Sequence, residues 1–252
     1  MDVPPDVAEV LAEFGSAVRP IAGVVALYVG GSLATKDYRA GVSDLDLVAL
    51  VDGPLNDQQR QQLRDLHRTL IAEYRAADKL HCVYVPIGEL ADVTAAHVTW
   101  AAKMLFQRSC TGIARAELLR HGFAVFGPPI SATIPPVSSA ELREAVRRDL
   151  RNYWIPALRR PSIWFQDSYI DLSLFTVARA EVTLLEDRLP TKSEALQRFE
   201  RFAVPAALID QVRRRRDRQP TTISFIGRIR RAGVVRRLVA ERIQYLLALT
   251  SD

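Results

Sequence analysis

The chain has 252 residues, 48% of them hydrophobic and 25% charged, which is ordinary globular composition with ample apolar material for a core. No apolar run reaches the roughly 18–20 residues of a membrane span. Two cysteines, Cys82 and Cys110, are too few for a disulfide framework or a cysteine metal site and read as buried thiols. The net charge of +5 is unevenly placed, because eleven arginines between Leu208 and Arg242 face only Asp210, Asp217 and Glu241. The rest of the chain is net acidic. A basic tail of this kind either meets RNA or another polyanion or forms a solvated helix surface. The first ten residues, MDVPPDVAEV, are acidic and proline-bearing, unlike a signal peptide, so a cytoplasmic protein with no membrane partner is expected.

Apolar residues at Val7, Val10, Leu11, Phe14 and Val18 predict a helix over 6–18. VVALYV, Val24 to Val29, reads as a buried strand, and SDLDLVALV, Ser43 to Val51, as a second. Asn56 with Gln59 makes a capping-box start for a polar helix to about Ala77. LHCVYV at Leu80 to Val85 predicts a third strand, with a further short one at Met104 to Gln107. A helix over Gly112 to Leu119 and a strand at Phe123 to Phe126 complete an α/β (α+β) unit with a mixed sheet.

Four prolines then fall between Pro128 and Pro136, a segment that joins domains because proline breaks helix and strand alike. Everything after it reads as helix. Ser138 with Glu141, and Thr191 with Glu194, are capping boxes; Ser168 to Glu186 has the apolar spacing of a central bundle helix. A last helix over about Arg228 to Leu249 is basic on one side and aliphatic on the other. The expected layout is an α/β domain at 1–127, a proline-rich linker at 128–137 and an all-α bundle at 138–252. Trp100, Trp154 and Trp164 read as core, and His97 and His121 as structural.

One stretch carries chemistry. YVGGSLATKDYRAGVSDLDLVALV, Tyr28 to Val51, places two aspartates inside an apolar strand, where an unpaired carboxylate is costly to bury. Alternate strand residues share a face, with Cα atoms roughly 6.5–7 Å apart. Asp44 and Asp46 can therefore converge on a divalent cation, and hard oxygens suit Mg²⁺, which also takes phosphate oxygens. Upstream, Gly30 and Gly31 let backbone approach a phosphate, and Ser32 with the first free N–H groups of a helix could hold it. Paired metal ions in such a site serve in-line phosphoryl displacement.

The turn followed by D-x-D resembles the nucleotidyltransferase superfamily related to DNA polymerase β. With HGFAVFGPP, FTVARAEVTLLEDRLPTKSEAL and the two-domain layout, the chain is similar to the streptomycin/spectinomycin adenylyltransferases. The resemblance implies ATP as co-substrate, Mg²⁺ held by Asp44 and Asp46, and a nucleotide-holding turn at Gly31 and Ser32. It implies that Arg179 and Lys192 reach the ATP phosphates from the helical domain. Two departures stand out. The family's catalytic base is a glutamate on the third strand, where this chain has His81, which is either a general base or a structural histidine. The family's acidic acceptor contacts early in the central helix do not align with Asp167 and Asp171. Those two lie four apart on one helix face, where they either contact substrate or favour the positive helix end.

The expected activity is transfer of AMP from ATP to a hydroxyl of a small molecule, an aminoglycoside or spectinomycin-like compound, with release of pyrophosphate. The alternatives are a nucleotide-binding module that transfers weakly or not at all, and an adenylyltransferase that modifies RNA or a protein.

Overall fold

The computed structural model describes residues 3–90 and 92–249, and the chain divides into two compact units, Met1–Val137 and Ser138–Asp252. In the first, α1 (Pro5–Ala22) opens with proline at its first turn and buries Val7, Val10, Leu11, Phe14 and Val18. It runs one turn beyond the predicted end, because Ala22 is buried and Gly23 supplies a left-handed C-cap at φ 58°. β1 (Val24–Val29) leads into the single turn of α2 (Gly31–Ala34), and β2 spans Leu45–Val51. Asp44 thus lies one residue ahead of the strand in which it was expected.

α3 (Asp57–Glu73) starts at the Asn56–Gln59 capping box and stops short of Ala77, giving way to a 3₁₀ turn at Arg75–Lys79. β3 (Leu80–Pro86) follows, then β4 (Ala96–Ala101) and β5 (Met104–Ser109). α4 (Gly112–His121), β6 (Phe123–Phe126) and α5 (Ile130–Thr133) complete the unit.

The sheet order is β5-β4-β3-β2-β1-β6, with β2 and β3 parallel and every other neighbour antiparallel. Parallel pairing needs a crossover, and α3 provides it. One sheet face packs Leu47, Cys82 and Trp100 against Val7 and Phe14 of α1 and Leu63 and Leu70 of α3. On the other face, Tyr28, Val48, Leu50 and Val85 meet Leu118, Ile130 and Ile134. The proline-rich segment therefore supplies core residues. Its Pro128 carbonyl also accepts a 2.9 Å hydrogen bond from the Tyr28 hydroxyl.

His67 sits in the first core, stacked on Trp100 with ring centroids 4.5 Å apart and planes 1° from parallel. Its Nε2 shares a 2.7 Å hydrogen bond with the Tyr84 hydroxyl. Burial lowers its pKa to about 3, so the ring is neutral near pH 7.

In the second unit, α6 (Ser139–Asp149) begins at the Ser138–Glu141 capping box and passes through a π-helical turn, Leu150–Trp154, into α7 (Ile155–Ala157). α8 (Asp167–Glu186) is the central helix, burying Ile170, Leu174, Val177, Ala178 and Val182. α9 (Lys192–Leu196) has the Thr191–Glu194 capping box, and α10 (Ala206–Arg216) and α11 (Phe225–Ala248) follow. Trp100, Trp154 and Trp164 are all core.

The arginine-rich tail is only partly a solvated surface. Arg215 grips Asp171 with two bonds, 2.8 Å from Nε and 2.5 Å from a terminal nitrogen. Arg231 lies 2.5 Å from Asp167, and Arg242 pairs with Glu181. Arg216 is buried, bonding Ser193 at 3.0 Å with its guanidinium 5.4 Å from the Phe175 ring. Arginines of the last two helices thus turn inward to neutralise the acids of α8, since a carboxylate taken from water needs a counter-charge.

Candidate functional site

The site grows from β1 and β2. Gly30 donates its N–H to the Asp46 carbonyl at 2.9 Å, which fixes the turn against the second strand. Gly31 has φ +59°, and a Cβ there would lie 2.1 Å from Asp46 Oδ2. The missing side chain is therefore a spatial requirement as well as a backbone one. Ser32 sits in the first turn of α2 with its Oγ buried and unpartnered among the described residues. An orphaned hydroxyl beside a side-chain-free backbone turn is the kind of group that ligand oxygens satisfy.

Leu45 and Leu47 point into the core, exposed by 0% and 3%, so the intervening Asp46 must face the opposite side. Asp44 and Asp46 keep 43% and 48% of their side-chain surface exposed, unlike the strand around them. His81 stands directly beside Asp46 in the parallel register of β2 and β3. Its Nδ1 is 3.7 Å from Asp46 Oδ1 and its Nε2 is 3.9 Å from Asp44 Oδ1. The imidazole thus bridges the two carboxylates. Its pKa is raised: burial opposes the charged form, but the approach of Asp46 and the negative field of both aspartates outweigh it, with Arg108 opposing.

Among the described residues, no group of three or more His, Cys, Asp and Glu side chains has the geometry of a metal cage. Two half-exposed carboxylates instead suit a hard ion that keeps waters and takes further oxygens from a phosphate. The donor chemistry of Asp44 and Asp46, next to the orphaned Ser32 hydroxyl, fits Mg²⁺ in that role.

The first unit therefore brings together Gly31, Ser32, Asp44, Asp46 and His81. The remaining candidates belong to the second unit. Arg179 donates from Nε to the Pro190 carbonyl at 2.8 Å, tying α8 to the segment before α9. Lys192 is the first residue of α9, one position after the Thr191 cap. Asp167 and Asp171 are the partners of Arg231 and Arg215 described above. Burial pushes the Asp171 carboxyl up against the pull of Arg215. His97 is buried, 3.4 Å from Glu89, whereas His121 is exposed at the end of α4.

Arg108 was not singled out from the sequence. It is an exposed residue of β5, paired with His97 of β4, and its charge acts on His81. Its place follows from the β4–β5 hairpin, which carries no recognisable turn motif.

Residues 8–87 match the family described as the nucleotidyltransferase domain. No curated protein matches the chain in sequence. Among solved structures, a spectinomycin adenyltransferase, AAD(9) from Enterococcus faecialis, crystallised with ATP and spectinomycin, is similar in fold. The two share 14% identity and a TM-score of 0.69, over 94% of this chain and 98% of that one. The turn, the aspartate pair and His81 all lie within the residues that match the nucleotidyltransferase domain.

Proposed function

We propose that the protein transfers AMP from ATP to a hydroxyl of a small molecule, in an Mg²⁺-dependent reaction that releases pyrophosphate. The observation that carries this reading is the meeting of Asp44, Asp46 and His81 beside the Gly31 turn. Asp44 and Asp46 are assigned the metal, which when bound screens the phosphate charge and favours departure of pyrophosphate. Gly31 and Ser32 are assigned the triphosphate. Arg179 and Lys192 are proposed to bind phosphate oxygens, by resemblance to the family.

The acceptor oxygen attacks the α-phosphorus, the bond to the bridging oxygen of pyrophosphate breaks, and His81 takes the hydroxyl proton. A spectinomycin-like or aminoglycoside acceptor is the first to test, because the structurally similar adenyltransferase was crystallised with ATP and spectinomycin.

The test is incubation with ATP, Mg²⁺ and a panel of aminoglycosides and spectinomycin, reading pyrophosphate release and product mass. Adenylylated product is expected from the native protein and none from Asp46→Asn. Full transfer by that variant would remove the metal role. A second reading, nucleotide binding with little transfer, is favoured by the position of His81, since carboxylates on both sides favour the protonated ring, the form that cannot accept a proton. His81→Glu separates the two. A large gain in transfer supports the second reading, and a loss supports His81 as the base.

A further inference from the structure

The outward face of α11 is a surface that the proposed transfer chemistry does not use. From Asp217 to Arg230 no residue is buried, so the loop before α11 and its first turns project beyond the core. Further along, Arg231, Ala232, Val235, Leu238 and Val239 are buried, and the helix packs on α8. Ile226, Arg230, Gly233 and Arg237 follow at spacings of three and four on the opposite, solvent side.

Phe225 is 75% exposed and Ile226 63%, while a Cβ added at Gly233 would meet nothing within 4 Å. Between Arg218 and Ala240 the sequence contains no acid. Arg231 in that interval is paired with Asp167. Arg218, Arg228, Arg230, Arg236 and Arg237 are exposed, with no carboxylate partner among the described residues. The exposed ring and Arg228 thus lie on the projecting first turns of α11, and Arg230 and Arg237 continue along its solvent side.

We propose that this face, with the loop leading into it, docks single-stranded RNA. Charge complementarity requires a polyanion, and three features select a nucleic acid over an anionic bilayer. Every cation between Leu208 and Arg242 is arginine rather than lysine, and the planar guanidinium pairs with phosphate through two bonds and stacks on bases. The loop adds Gln219, Thr221 and Thr222, side chains that hydrogen-bond phosphate and sugar oxygens. Phe225 is a stacking platform for an unstacked base, which a single strand offers and a duplex does not. The face belongs to the second unit and Asp44, Asp46 and His81 to the first, and the inference does not depend on the reading of that site.

Binding of a fluorescent uridine homopolymer to the full chain tests it. Five arginine contacts predict that affinity falls with salt at a log–log slope of about −3.5. Charge neutralisation in Arg230→Gln/Arg237→Gln is expected to weaken binding and make that slope shallower by roughly 1.4. Phe225→Ala is expected to lower affinity about fivefold to 100-fold while leaving the slope unchanged. All three side chains are solvent-exposed, so unchanged melting curves check that the variants fold.

Three results would overturn the proposal. One is no RNA retention at low salt. Another is an RNA affinity indifferent to Phe225. The third is stronger capture by vesicles of phosphatidylcholine and phosphatidylglycerol in equal parts than by the polymer, which would make the face a bilayer contact.

Discussion

The Asp46 carboxylate fills the space in which a side chain at Gly31 would begin, at 2.1 Å from the ideal Cβ position. Substituting Gly31→Ala sets that methyl against the carboxylate and also puts an L-residue at φ +59°. The strained conformation alone costs about 1–2 kcal/mol. The larger effect is on the site, since Asp46 must move. Nucleotide transfer is expected to fall by about 100-fold or more, on the scale of a misplaced catalytic group. Melting and turnover measured together check it, and a variant that melts early but turns over normally contradicts the proposed role of Asp46.

Stability should fall as the pH drops below about 6.5, with His67 as one identifiable cause. Its folded pKa is about 3, against an ordinary histidine value of 6.5, so the unfolded chain takes up the proton first. Below pH 6.5 the unfolded state gains that proton, and stability declines by up to about 1.4 kcal/mol per pH unit until the folded ring protonates. Above that window the contribution is constant. Urea unfolding of His67→Gln across this range should show a shallower dependence, whatever its absolute stability.

Asp171 and Arg215 keep 19% and 15% of their side-chain surface exposed. Removing one partner strands the other charge, so Asp171→Ala is expected to destabilise the helical unit by about 3 kcal/mol. Replacing both, as Asp171→Leu/Arg215→Met, should restore most of that loss. A variant of normal stability but raised KM for an acceptor would instead assign Asp171 to substrate contact.

The hairpin between β4 and β5 turns on Ala102 and Lys103, both left-handed, at φ 50° and 62°. Two-residue turns of this hand favour Asn-Gly, so Ala102→Asn is expected to stabilise by about 0.5–1 kcal/mol. Thermal unfolding reads this directly. Lys103 is better kept, because its ammonium lies 2.6 Å from Asp78.

That same turn explains what the sequence concealed. Neither Ala102 nor Lys103 is a residue that announces a hairpin, so β4 was missed and β5 was predicted two residues short. With β4 went the register that positions Arg108. By contrast, capping boxes at Asn56, Ser138 and Thr191 were readable, because each closes within one turn. The aspartate pair was legible for a similar reason: Leu45 and Leu47 fix its orientation locally. What escaped was long-range. Asp167 and Asp171 find their arginines 64 and 44 residues away, in α11 and α10. Nothing near α8 in the sequence identifies those partners. The bridging place of His81 likewise rests on tertiary register, although the family pattern marked its position.

Asp46 and His81 are neighbours only because β2 and β3 run parallel, joined by an over-the-top connection containing α3. A hairpin could not align them, and closing so long a loop costs conformational entropy before any contact repays it. A fragment ending at Val51 would contain every residue of the sequence signature and lack the imidazole altogether. The centre therefore exists only in a chain whose crossover has set β3 beside β2.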